Sequence, residues 1–347
     1  MLTSGGDTRK FCGRMDAVKL VTPNALFHIA VAAVGLGLAL WFGGRYCCRC
    51  EGRDARIIVP ATVKPEILRE HVEAIAGAEH NVVNFARLHQ AAEYIEQQWR
   101  EQGYVVARQS YRVGAVECAN LEVTIPGTTK SNEIIVVGAH YDSVEGAPGA
   151  NDNASGVAAM LEISRKFTAI PSDRTVRFVA FVNEEPPYFE TELMGSRVYA
   201  KACRQRGDDI RVMLSLETLG YYSEQAGSQR FPSPLFRLFY PNRGNFVAFA
   251  SDYRSRPLLQ EAIAAFRGNS KFPAECIASF PKLAGVGLSD NASFWREGYR
   301  AMMVTDTAPF RYPHYHAVTD TPDKIDYDSL ARVTEGLCGT IAALATK

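Results

Sequence analysis

The stretch RFVAFVNEEPPYF, residues 177–189, decides the fold reading. Phe178 to Val182 form a short, continuous apolar run, the composition of a buried strand in a parallel sheet. The run leads directly into two adjacent carboxylates, Glu184 and Glu185. Pro186 and Pro187 follow at once and keep a helix from starting there. Adjacent residues on an extended chain point in different directions, so the two acids can do different work.

Strands alternate with helical patterns on both sides of this stretch. The run 134–139 reads as a strand, 154–168 as a helix, 175–182 as a strand, 193–206 as a helix and 211–217 as a strand. Upstream, residues 64–77 and 87–103 carry helical spacing, and GYVVARQSYRV and CANLEVTIPG read as an edge pair. Downstream, 221–252 is looser, 256–267 is helix-like and GYRAMMVTDT is one more strand. An amphipathic helix capped by Asp326 or Asp328 closes the chain. The expected fold is an α/β, three-layer α/β/α sandwich around a central, mostly parallel mixed sheet.

Open sheets of this kind gather ligands at the carboxyl ends of their strands. IIVVGA ends in His140-Tyr141-Asp142, VRFVAFV in Glu184-Glu185, and VMLSL in Glu217. AMMVTDT is followed closely by PHYHAVTDT, with His314 and His316, and Asp152 stands in GANDNASG where a helix begins. Singly each has an ordinary explanation: Asp152 as a helix cap, the glutamates as a solvated face, the histidines as loop residues. Together they offer two imidazoles and several carboxylates at one sheet edge, a donor set for a pair of zinc ions. One glutamate of the pair can then ligate while the other takes a proton from water. Asp142, two residues after His140, is placed to orient a ligating imidazole.

GAHYDS, GANDNASGVAAMLEISR, FVNEE, MGSRVYA and HYHAVTDTPDKIDY, in that order, resemble the co-catalytic dizinc aminopeptidases, the bacterial leucyl aminopeptidase-like zinc exopeptidases. The likeness spans roughly residues 65–347. It implies two zinc ions, one held by His140 and Glu217, the other by Glu185 and His316, with Asp152 bridging. It also implies Glu184 as general base with Asp142 behind His140. Three departures stand out. Glu217 occupies a position where many relatives have Asp. PPYFETELM lengthens the segment after the glutamate pair. Val286 stands where several relatives carry an oxyanion-steadying Tyr, leaving Tyr221, Tyr222, Tyr312 and Tyr315 as candidates for that role.

The N-terminal residues have a different character. Residues 25–44, ALFHIAVAAVGLGLALWFGG, are an uncharged apolar run of about the 20 residues that a bilayer-spanning helix needs. The expected organisation is an N-terminal tail over 1–24, a transmembrane helix over 25–44, a juxtamembrane linker over 45–63 and a catalytic domain over 64–347. This describes a single-pass membrane protein with its catalytic domain extracytoplasmic and lipid contact through the N-terminal helix. Lys plus Arg and Asp plus Glu balance at 38 each, so no basic excess points to nucleic acid. The eight cysteines form no metal-finger spacing, and Cys118, Cys203, Cys276 and Cys338 read as buried thiols.

The expected activity is hydrolysis of N-terminal residues from peptides by a two-metal-activated water. Aminoacyl transfer of the glutaminyl cyclase kind on the same fold is the nearest rival. A carboxypeptidase of related fold and an inactive membrane-tethered binding module are more distant.

Overall fold

The structure, a computed structural model, describes residues 62–281 and 285–346. In chain order the first elements are helices α1 (Pro65–Ile75) and α2 (Phe85–Glu101), then strands β1 (Ala107–Val113), β2 (Val116–Ile125) and β3 (Lys130–His140). Helix α3 (Ser155–Phe167), β4 (Arg174–Phe181), α4 (Gly195–Arg206) and β5 (Asp209–Glu217) follow. The remainder comprises β6 (Val247–Asp252), α5 (Arg256–Asn269), β7 (Ala274–Ser279), α6 (Asn291–Arg296), β8 (Ala301–Thr305), α7 (Ala308–Arg311) and α8 (Tyr327–Ala345).

The strands make one eight-stranded sheet in the order β1-β2-β4-β3-β5-β8-β6-β7. The central pairs β3–β4, β3–β5 and β5–β8 are parallel, as is β6–β7. The pairs β1–β2, β2–β4 and β6–β8 are antiparallel. Both faces are buried. Ile135, Val137 and Ala139 of β3 join the core built by α1, α2, α3, α5 and α8. Ile134 and Val136 of the same strand pack with Tyr199 and Cys203 of α4 and with Phe294 of α6. This is the three-layer sandwich, and the two-sided burial explains why its strands read as continuous apolar runs.

Asp326 is the cap of α8, its side chain accepting from the Ser329 amide. Strand β6 runs through the end of the segment read as loose, and β7 carried no strand expectation. Both are six residues long, close to the lower limit at which a pattern can be read. Cys118, Cys203 and Cys338 are free and buried, whereas Cys276 is disulfide-bonded rather than a thiol. The run 25–44 lies outside the described residues, and no helix among those described is long and apolar enough to cross a membrane.

One contact closes the segment that carries the glutamate pair. The amide of Gly195, which opens α4, donates to the Val182 carbonyl at 2.8 Å. Asn120 of β2 donates to the Gly195 carbonyl and accepts from the Val182 amide. Residues 183–194 are thereby pinned at both ends. A Cβ on Gly195 would lie 2.2 Å from the Val182 oxygen and 2.4 Å from Asn120 Oδ1, and the first of these is backbone that cannot move aside. Gly195→Ala is therefore expected to destabilise the fold by about 3 kcal/mol, the upper end of overpacking costs. Urea unfolding checks this, and an unchanged midpoint would show that the pin is loose.

Candidate metal centre

Neighbouring parallel strands deliver the site. β3 ends on His140, β5 ends on Glu217, and β4 runs out through Val182 and Asn183 to Glu184 and Glu185. Asp152 lies in the short connection between β3 and α3, and His316 in the loop between α7 and α8. Asp152 stands between the two imidazoles. Its Oδ1 is 3.3 Å from His140 Nε2, and its Oδ2 is 3.2 Å from His316 Nε2. Glu217 Oε2 is also 3.3 Å from His140 Nε2, and Glu185 Oε2 is 3.3 Å from His316 Nε2. The five residues form two donor groups, His140-Asp152-Glu217 and Asp152-Glu185-His316, which share Asp152. Glu184 belongs to neither and stands 4.0 Å from His140 Nε2.

These groups are mutually unsuited unless positive charge joins them. His140, Asp152, Glu184, Glu185 and Glu217 are buried, and only His316 reaches the surface. Burial pushes Glu185 up to about 7, with Asp152 adding to the rise. Burial also raises Glu184 well above the carboxylate range, and Glu217 and Glu185 reinforce it. At His140 burial opposes the charged form, yet Glu217 and Glu184 outweigh it and raise the imidazole. Burial likewise opposes charging of His316, and contact with Asp152 and Glu185 lifts it to about 10. Every shift is of the kind that follows when buried negative charge lacks a counter-ion. His140 Nε2 and Glu185 Oε1 are buried without a hydrogen-bond partner, though acidic oxygens surround the former. Imidazole nitrogen and carboxylate oxygen with no thiolate suit zinc, so the donor set fits that metal.

The structure also shows how these side chains are held. Asp142 orients His140 through its backbone oxygen, 3.0 Å from Nδ1, while its carboxylate oxygen is 3.7 Å away. That carboxylate instead accepts the backbone amides of Glu184 at 3.0 Å and Glu185 at 3.2 Å. Ser289 donates to Glu217 Oε2 at 2.7 Å. Asp320 accepts the amides of Asn151 and Asp152, at 2.9 and 3.2 Å, and so fixes the turn carrying the central carboxylate. Asp320 lies inside the HYHAVTDTPD motif, which was the one sequence signal for it; Ser289 gave none. His314 bonds Thr319 instead of facing the donors.

An apolar pocket of about 790 Å³, open mouth included, adjoins Glu217. Phe231, Phe236, Tyr240, Phe246, Met303 and Phe310 form much of its wall, so the loose region 221–252 does line it. The tyrosine candidates separate here. Tyr312 donates to Asp320, and Tyr222 packs on Phe272 away from the donors. The Tyr221 ring rests on Tyr312. Tyr315 stacks on His316 at 3.9 Å and lines the pocket beside Glu217. Burial raises its phenol, as do Asp152, Glu217, Glu185 and Glu184.

Comparison with known proteins agrees with this arrangement. The profile of peptidase family M28 matches residues 120–341. The uncharacterized protein YfbL of Escherichia coli K12 is 31% identical over 288 residues, 80% of this chain and 88% of its own length. A probable leucine aminopeptidase of Trichophyton verrucosum is 28% identical over 61% of this chain, which spans about half, 53%, of that relative. Among solved structures, BSAP, a zinc aminopeptidase from Bacillus subtilis, superposes with a TM-score of 0.65 at 14% identity, covering 84% of this chain and 97% of that one. A Fimbriiglobus ruber glutaminyl cyclase gives 0.59 at 19% identity, covering 83% and 99%. Those two likenesses speak to the fold alone. The family match extends over most of the described domain and takes in all the donor residues, and on that ground the chain belongs to peptidase family M28.

Proposed function

We propose that this chain is a zinc-dependent aminopeptidase that removes N-terminal residues with bulky apolar side chains from peptides. The observation that carries the reading is the position of Asp152, one oxygen toward each imidazole, with a glutamate completing each side. His140, Asp152 and Glu217 would hold one ion, and Asp152, Glu185 and His316 a second. When bound, the metal supplies Lewis acidity that polarises the scissile carbonyl and acidifies a water.

The protein's own groups do the rest. Glu184, outside both donor groups, takes the water's proton on its carboxylate and returns it to the leaving amine nitrogen. Asp142 holds Glu184 and Glu185 by their amides so that the two carboxylates keep separate tasks. The apolar pocket takes the side chain of the N-terminal residue and excludes water around it. Tyr315 borders both the pocket and the donors, and its hydroxyl makes no hydrogen bond among the described residues; it donates to the carbonyl oxygen as negative charge develops there.

Nothing among the described pocket residues is basic, so a substrate carboxylate finds no clamp there, whereas carboxylates nearby can receive a protonated α-amine. That favours an aminopeptidase over a carboxypeptidase. Two donor groups sharing one carboxylate favour it over a single-zinc cyclase. Filled donor positions argue against a binding module that has lost catalysis. Residues 25–44 are proposed to anchor the catalytic domain, 64–347, to a membrane with that domain extracytoplasmic; support comes from the length and apolar character of the run.

Glu184→Gln is expected to keep its zinc and lower hydrolysis of a leucyl anilide by about 10²–10⁴-fold, the range for a lost general base. Near-parental turnover by that variant would remove Glu184 from the role. Chelation should abolish activity, and zinc returned to the apoprotein should restore it at two ions per chain; a plateau at one ion would favour the cyclase reading. Tyr315→Phe should reduce kcat by about 10²-fold, as loss of an oxyanion donor does, with KM little changed. A change confined to KM would make Tyr315 a wall of the pocket and nothing more.

A further inference from the structure

Behind the metal centre lies a buried pair of opposite charges that none of the roles above uses. Asp306, directly after β8, is fully buried. Its Oδ2 accepts from Asn151 Nδ2 at 2.9 Å and from the Tyr221 amide at 2.8 Å. Asn151 precedes Asp152, and its own Oδ1 accepts from the Gly220 amide at 2.8 Å. One carboxylate thus grips the turn that presents Asp152 and the chain leaving β5 just after Glu217.

Arg311, which ends α7, is equally enclosed, at 3% exposure. Its Nε donates to Gln229 Oε1, and its Nη1 to the carbonyls of Gly244 and Phe246, at 2.8–3.1 Å. Gln229 and Phe246 line the apolar pocket. Arg311 Nη2, Asp306 Oδ1 and the Tyr222 hydroxyl are all buried without a hydrogen-bond partner. Burial disfavours the charge on each member, and each is the strongest opposite charge acting on the other. A buried ion left alone is costly, whereas removing both charges of a pair is tolerated far better.

We propose that Asp306 and Arg311 form one charge couple that positions Asp152 for metal binding and ties that position to the wall of the substrate pocket. Asp306 holds the Asn151–Asp152 turn, and Arg311 keeps Asp306 ionised in its buried place while gripping the strands of the pocket wall. Both are positioning residues. The inference rests on the metal-centre reading above.

The test uses metal-free full-length protein titrated with zinc against a chromophoric chelator, with the thermal midpoint of the apoprotein measured in parallel. Arg311→Met leaves the Asp306 charge unmatched, and Asp306→Asn leaves the Arg311 charge unmatched while keeping an acceptor for Asn151. Each single variant is expected to weaken zinc binding about tenfold. The double variant D306N/R311M, with neither charge and the acceptor retained, is expected to recover to within about threefold of the parent, the non-additivity of a directly coupled pair. Where R311M does not fold, D306N against the double variant carries the same comparison. Zinc affinities of the single variants within twofold of the parent would overturn the proposal, even with lowered midpoints. So would losses that simply multiply in the double variant. A parent chain that takes up no zinc defeats the metal-centre reading itself, an outcome distinct from parental affinity in the variants.

Discussion

Asp152 is the point on which the rest of the site depends. A buried carboxylate flanked by two imidazoles and two further acids concentrates negative charge where water cannot screen it. Such a cluster is stable as a set of ions only if cations enter it. The upward shift of Glu184, Glu185 and Glu217 and the raised imidazoles are two faces of the same deficit of positive charge. The fold spends much of its polar hydrogen bonding on keeping these groups apart and aimed. Asp320 holds the turn bearing Asp152, Ser289 holds Glu217, and Asp142 holds the glutamate pair.

The sheet order explains why the donors meet. Three adjacent parallel strands, β4, β3 and β5, end at the same edge, so residues 140, 184–185 and 217 arrive together despite their separation in sequence. The sheet also supplies the pocket. Where β8 meets β6 in antiparallel fashion the apolar edge residues Ala248, Ala250 and Met303 become its floor, and the 221–246 excursion folds over them. Chemistry and side-chain recognition therefore share a boundary, marked by Glu217 and Tyr315.

Much of this was legible beforehand because the signals are local. Apolar runs buried on both faces read as strands, helical spacing read as α2, α3 and α8, and acids or histidines at strand ends stood out against them. The antiparallel strand β6 and its neighbour β7 were not read, since six residues in an aromatic, glycine-containing neighbourhood carry little periodicity. Asp142 was placed beside His140 correctly, but its carboxylate serves the glutamate pair, a partnership across 42 and 43 residues that spacing cannot reveal.

The order of residues by itself determined the kind of chemistry: strand ends bearing His140, Glu184-Glu185 and Glu217, a turn bearing Asp152, and a donor set without thiolate. Those features follow from side-chain type and from periods of two and 3.6 residues along the chain. Only the tertiary structure decided which oxygen faces which nitrogen, which tyrosine borders the donors, and that Asp306 and Arg311 lie buried behind them. Each of these depends on groups brought together from distant positions, where burial makes the energy of a charge hinge on its few neighbours.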